Sequence, residues 1–395
     1  MVEPLRVLTL NSISSVGLER FPRGRYQVAG KIDRPDAILV RSHDMHAMDI
    51  DACVKTIGRA GAGVNNIPVG KLSQRGMPVF NAPGANANAV KELVIAGLLI
   101  AARNLVPALH FVHGLKGDDK ALHRLVEDGK KQFAGAELPG RTLGVVGLGK
   151  IGSLVADAAI KLGMNVLGYD PEITVDAAWS LPSQVKKAHS IEEVVKAADF
   201  VTVHVPLLDV TRNLINASRV RLMKPGAILL NFAREGVVSN EAVLEGLNGK
   251  HLHCYVCDFP AEQLAGHPRV VALPHLGAST SEAEDNSAVM VVDQVRDFLE
   301  NGNILNAVNF PDVVMSRESP YRVSIANANV PNMLGQISTA MAKSGLNIHN
   351  MLNKSKGEMA YTLVDVDSQV PAAAIEQIGR IQGVLAVRYL PTSER

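Results

Sequence analysis

Three polar residues stand just beyond apolar runs in the second half of the chain: Arg234 after AILLNFA, Glu262 after CYVCDFPA, and His275 after RVVALP. Their types suit one reaction. An arginine can grip a carboxylate through two parallel N–H bonds and fix the carbon beside it. A neutral histidine can take a hydroxyl proton as hydride leaves that carbon, and the imidazolium can return it in reverse. A nearby glutamate would orient the ring and favour its charged form. Taken singly, each residue has a plainer use: Arg234 in a surface ion pair, Glu262 as a solvated loop charge, His275 as a helix cap. Spacing alone does not show that they converge.

A redox step of this kind needs a hydride carrier, and the sequence holds a site for one. Gly147-Leu-Gly149-Lys-Ile-Gly152 follows the apolar run TLGVV and opens a helical stretch. That context makes a glycine fingerprint for a dinucleotide credible. Gly147 permits the tight turn, Gly149 lets backbone approach a pyrophosphate, and Gly152 lets the helix pack on the strand. The helix start then offers N–H groups and partial positive charge to the phosphates. The next strand ends at Asp170, whose carboxylate suits ribose hydroxyls and would repel a 2′-phosphate, so NAD is expected rather than NADP. The plainer alternative is a glycine-rich turn without ligand.

These groups must be carried by strands. Thr142–Val146, Asn165–Tyr169, 199–205, 227–232, 253–257 and 269–273 are apolar without alternation, as in strands covered on both faces. Helical stretches at 150–162, 191–198, 211–223 and 240–248 separate them, which describes one doubly wound domain. The first 90 residues also alternate strands (5–10, 37–40, 55–58, 78–80) with helices, predicting a second parallel sheet, and a long apolar helix follows from Ala89 to Ala102. A helix from about residue 281 to Asn301 precedes a last segment of different character. There a strand at 321–327, a helix from Met333 to Lys343, a hairpin around 355–357, a helix near 372–381 and a final strand give β-α-β-β-α-β, the split ferredoxin-like order.

Composition narrows the function classes. Lys and Arg number 40 against 39 Asp and Glu, a formal charge of +1 that supports neither a nucleic-acid grip nor a membrane anchor. Apolar residues at 47% and charged ones at 20% describe a core-forming globular chain rather than a disordered one. No signal peptide is read at the start, and three cysteines point to a reducing cytoplasm rather than a disulfide framework. Cys254 and Cys257 form a C-x-x-C on a predicted strand, where residues three apart face opposite ways; two core thiols are expected, and no metal site.

The set VVGLGKIG (145–152), NFAREGVV (231–238), VCDFPAE (256–262) and PHLGAST (274–280), in that order, resembles the D-isomer-specific 2-hydroxyacid dehydrogenases over residues 1–310 or so. The resemblance implies an Arg–Glu–His catalytic set at Arg234, Glu262 and His275. It implies two Rossmann-like domains with a discontinuous substrate domain: 1–92 and 281–312 for substrate, 93–280 for NAD, then a module at 319–395. Further cofactor contacts would come from Lys150, Ile151, His204, Val205, Ala233, Asp258, Gly277, Ala278 and Ala62. Cys257-Asp258-Phe259 departs from the Asp-Val-Phe of many relatives.

VRSHDM (40–45) and GRAGAGVNNI (58–67) resemble the loops of members that oxidise 3-phosphoglycerate in serine biosynthesis. This implies carboxylate binding by the backbone of Gly61, Gly63 and Val64, and phosphate binding by Arg41 and Arg59. His43 stands where some relatives place another arginine. The tail, through NANVPNMLGQI (327–337) and GLNI (345–348), resembles an ACT module, which implies an L-serine effector held at Asn329 and Asn347. Asn327 replaces a usual His, and Asn332 a usual Gly. A dimerisation module without effector is the alternative. The family further implies a homodimer or homotetramer. Two rivals stay open: another 2-hydroxy acid substrate (glycerate, 2-hydroxyglutarate or lactate), and an NADH-regulated corepressor. Formate oxidation is disfavoured because Glu262 stands where that group needs Gln.

Overall fold

The computed structural model describes residues 3–392. They form two compact units: the chain up to Asn86 together with the chain from Ser281 onward, and Ala87–Thr280.

Within Ala87–Thr280, seven parallel strands make one sheet. Their spatial order is Val270–Ala272, Leu252–Cys257, Ala227–Asn231, Phe200–Val203, Thr142–Val146, Asn165–Tyr169, Lys186–Lys187. Alternate residues of the central strands feed two cores. Val201, Val203, Leu229, Tyr255 and Cys257 pack on one face, and Phe200, Ile228, Leu230, Cys254 and Val256 on the other. That is the period-two logic of a strand covered on both sides. Cys254 and Cys257 are accordingly two separate buried thiols. Helices Ala87–Ala102 and Lys150–Lys161 cover one face; Ile191–Ala197 and Asn240–Asn248 cover the other.

One expectation needed correction here, and one stretch went unread. The helix read at 211–223 is only Ala217–Leu222, preceded by a short turn at Asp209–Thr211. Asn213 adopts a left-handed φ of 49°, and the Asn216 side chain accepts the N–H of Arg219, so the helix starts afresh there. Helices Leu105–Gly114 and Asp119–Gly129, not anticipated, follow Ala102; Asp118 caps the second by accepting from Ala121.

The other unit has a five-stranded parallel sheet in the order Tyr26–Ala29, Leu5–Leu10, Ala37–Val40, Thr56–Arg59, Val79–Phe80. Helix Ser281–Asn301 packs on it through Val291, Val292, Val295 and Phe298. Gly58 allows the close approach, since a Cβ there would sit 2.6 Å from a Val291 methyl. The last segment is a four-stranded antiparallel sheet, ordered Ile348–Lys356, Met359–Val366, Tyr321–Ala328, Val384–Pro391. Helices Met333–Lys343 and Ala372–Gly379 cover one face. Its other face adds Ala326, Tyr361 and Leu363 to the core under helix Ser281–Asn301.

A buried ion pair anchors this sheet. Arg322 is fully buried and reaches both Asp365 oxygens, at 2.6 and 2.8 Å, while also donating to Asn301 O, Met315 O and Ser316 O. No single helix among the described residues is both long and apolar enough to cross a membrane.

Candidate active site

Parallel pairing puts the carboxyl ends of all seven strands of the Ala87–Thr280 sheet on one edge, where ligands of such sheets gather. Across that edge stand, in order, His275, Asp258 with Glu262, Arg234, His204, the glycine loop and Asp170, each just after its strand. The chain order reverses between Thr142–Val146 and Phe200–Val203, so the glycine loop and His204 flank the switch point.

The loop fits a dinucleotide. Gly147 has φ 93°, and a Cβ there would lie 2.7 Å from His204 O and 3.0 Å from a Val205 methyl. A Cβ on Gly152 would lie 1.9 Å from Gly147 O, so only glycine lets the helix begin this close to the strand. Gly149, at the helix N-cap, has no atom within 4 Å of its missing Cβ. That is open space beside the N-terminus of Lys150–Lys161, where Lys150 and Ile151 supply the first turn. Asp170 already serves the loop: its Oδ2 accepts Leu148 N–H at 2.8 Å and its Oδ1 accepts Glu172 N–H. The His204 ring bonds Thr202 through Nε2, while its Nδ1 is buried without a partner. Burial pushes its pKa down to about 4, which keeps this wall of the loop neutral.

The three acid–base candidates are exposed on the same edge. Arg234 is set by Asn231, a buried residue the sequence reading passed over. The Asn231 amide donates to Arg234 O at 3.0 Å and accepts Ala233 N–H at 3.1 Å, shaping a turn completed by Gly236 at φ 82°. The guanidinium itself folds back on Ala233 O. His275 has a left-handed φ of 57°. Asp258, buried behind it, accepts Leu276 N–H and Gly277 N–H at 2.8 Å each, and thereby fixes the turn. The His275 ring stands edge-on to Phe259, centroids 5.1 Å apart. Glu262 opens a short 3-10 turn, and the His275 ring packs on Phe259 rather than pairing with Glu262 among the described residues. Ala278 is exposed beside them.

In the other unit, Arg41 follows one strand and Arg59 ends its neighbour, with Val40 paired to Arg59. Arg59 Nε donates to Arg41 O, and Arg41 forms an ion pair with Glu284 at 2.5 Å. Gly61 has φ 154°, and a Cβ there would strike the Arg59 guanidinium at 2.3 Å. Asn81 donates to Ala62 O, and Gly61 O accepts from Ala82, holding the loop that continues through Gly63 and Val64. His43 N–H and Ser42 N–H are held by Asn11, a left-handed residue also missed in the sequence.

The two asparagines of the last segment are not brought together. Ala328 lies level with Met359 and Lys356, whereas Tyr321 and Ile348 both lie level with Val366. Asn329 and Asn347 therefore sit at opposite ends of the sheet, about 25 Å apart at roughly 3.3 Å per residue. Asn329 donates to Gly357 O in the hairpin turn, and Asn327 is buried with its amide donating to Ala328 O.

Residues 98–277 match the model of the D-isomer specific 2-hydroxyacid dehydrogenase NAD binding domain. The chain is 33% identical to the D-3-phosphoglycerate dehydrogenase of Methanocaldococcus jannaschii over 93% of this chain and 68% of that protein. It is 32% identical to the enzyme of the same name from Haemophilus influenzae, over 89% and 85% respectively. Among solved structures, NAD+-bound 3-phosphoglycerate dehydrogenase of Entamoeba histolytica superposes with TM-score 0.59 at 24% identity, covering 78% of this chain and 99% of that one, a likeness of fold. The chain belongs to the D-isomer-specific 2-hydroxyacid dehydrogenase family. It is an NAD-dependent oxidoreductase.

Proposed function

We propose that the chain oxidises D-3-phosphoglycerate to 3-phosphooxypyruvate with NAD, the entry step to L-serine. The observation that carries the substrate choice is the pair Arg41 and Arg59 at the ends of neighbouring strands, two cations suited to a phosphate dianion. The relatives of that name, aligned over most of the chain, support the same choice.

NAD, when bound, accepts the hydride from C2 of the acid. The chain's own residues do the rest. Arg234 swings from Ala233 O to hold the carboxylate in two parallel bonds. His275 takes the C2 hydroxyl proton as the C–H pair leaves, so one C=O bond forms as one C–H and one O–H bond break. Glu262 stabilises the resulting imidazolium; unliganded sites commonly hold such partners apart until substrate binds. Ala233, Asp258, Gly277 and Ala278 would line the nicotinamide side, and His204 with Val205 the adenine side. Gly61, Gly63 and Val64 would bind the carboxylate through backbone N–H groups.

The antiparallel tail reads as an ACT-like module for L-serine. With Asn329 and Asn347 at opposite ends of one sheet, a site using both draws them from two copies, in keeping with a homodimer or homotetramer. Three free thiols fit a cytoplasmic setting. The test is Arg41→Gln with Arg59→Gln: KM for 3-phosphoglycerate should rise about 10- to 100-fold, the worth of a lost charge-assisted bond. NADH affinity should hold, read by quenching of Trp179, the single and largely exposed tryptophan. An unchanged KM would contradict the phosphate assignment.

A further inference from the structure

A cavity of about 470 Å³ opens within the first unit, between the Thr56–Arg59 side of the parallel sheet and the face of the antiparallel sheet that its own helices leave free. Its charged lining is uneven: Lys55, Arg75 and Arg388 against one carboxylate, Asp36. Asp36 is already engaged, bonding Lys55 Nζ at 2.6 Å and Arg6 N–H at 2.7 Å. Among the described residues, neither arginine has a carboxylate within 4.0 Å. Arg388 lies over the Phe298 ring, 4.5 Å from its centroid, and donates only to Phe298 O and Leu299 O at the end of helix Ser281–Asn301. Arg75 donates to Ile50 O and Asp51 O. Each guanidinium carries five N–H donors, so both keep donors unspent.

Arg388 is half-buried with only the more distant charge of Asp36 opposite it, and a part-buried cation gains from a directly paired anion; Arg75 stands exposed at the mouth. The surrounding packing is tight rather than loose. Gly76, at φ 67°, is pressed against Ala386, where a Cβ would meet the Ala386 methyl at 2.8 Å. The Tyr361 hydroxyl is tied to Gly302 O at 2.7 Å. Burial also lowers the pKa of Arg388, although the nearby Asp36 carboxylate acts in the opposite direction.

We propose that this cavity binds a small anion bearing a phosphate or carboxylate group, held by Arg75 and Arg388 with Lys55 beside them. The site is separate from Arg41 and Arg59 and does not depend on the substrate reading. An anion there bridges the two sheets of the unit, so its binding stabilises the docking of the antiparallel sheet.

The experiment is calorimetric titration of the full chain with inorganic phosphate, and in a second arm with malonate, at fixed ionic strength. The background carries Arg41→Gln and Arg59→Gln and is saturated with NADH, which silences the other phosphate-binding places. Saturable binding that weakens at least tenfold in Arg75→Gln, an exposed position, and in the conservative Arg388→Lys is the expected result. The stronger of the two arms identifies the anion class. No saturable binding in either arm, or binding unaltered by both substitutions, would overturn the proposal.

Discussion

Asp258 holds the turn that presents His275: its two carboxylate oxygens accept the N–H groups of Leu276 and Gly277, both at 2.8 Å. A non-glycine residue at φ 57° costs on the order of 1–3 kcal/mol, and two charge-assisted bonds offset it. Asp258→Asn removes one of those acceptors from a buried place. We expect kcat to fall by about 10- to 100-fold, and stability by about 1–3 kcal/mol. Steady-state kinetics with denaturant unfolding measures both; an unaltered kcat would show that the turn does not need this carboxylate.

Asn231 does for Arg234 what Asp258 does for His275. Asn231→Ala leaves Ala233 N–H and the second turn bond unmade in a buried site. The expected result is a raised KM for the hydroxy acid with little effect on NADH binding, and about 1–3 kcal/mol of lost stability. Wild-type KM in a folded variant would mean that Arg234 finds its place unaided.

Gly149 and Gly152 separate binding from folding. Gly149→Ala meets no protein atom, so the variant should unfold like the parent but bind NADH at least tenfold more weakly, because the methyl occupies the phosphate approach. Gly152→Ala drives a methyl against Gly147 O and should lose both stability and binding. Thermal unfolding beside Trp179 quenching reads the two effects apart. Equal NADH affinity in Gly149→Ala would move the pyrophosphate elsewhere.

His204 makes stability depend on pH. Its folded pKa is lowered to about 4 from 6.5, so between those values the unfolded chain binds a proton that the folded chain refuses. Stability is therefore complete above about pH 6.5, declines as pH falls toward 4, and loses no more from this group below that; the full loss is about 3 kcal/mol. His204→Asn should flatten this part of the profile relative to the parent. Parallel profiles for the two proteins would refute the assignment.

Much of this was legible in the sequence for a physical reason. Strands such as Ala227–Asn231 are buried on both faces and so read as unbroken apolar runs, and the residue after each run falls on the ligand edge. Arg234, Glu262, His275 and Asp170 were singled out for their places after such runs, and the structure puts all four on that edge. Asp258 was named only as a cofactor contact; its grip on Leu276 and Gly277 was not legible, because those bonds span 18–19 residues and no local pattern encodes them. Asn231 was hidden for a simpler reason: a buried asparagine inside an apolar run looks like an interruption, not a clamp. The helix expected at 211–223 failed because Asn213 and Asn216 break and restart the chain. The separation of Asn329 from Asn347 follows from strand register, which the sequence does not reveal.

The most direct measurement is NADH formation by the purified chain with D-3-phosphoglycerate, beside glycerate, lactate and 2-hydroxyglutarate, in the parent and in His275→Ala. The account predicts turnover confined to the phosphorylated acid, and its loss by at least about 100-fold in His275→Ala with NADH binding retained. Turnover with an unphosphorylated acid alone, or normal turnover without His275, would contradict it.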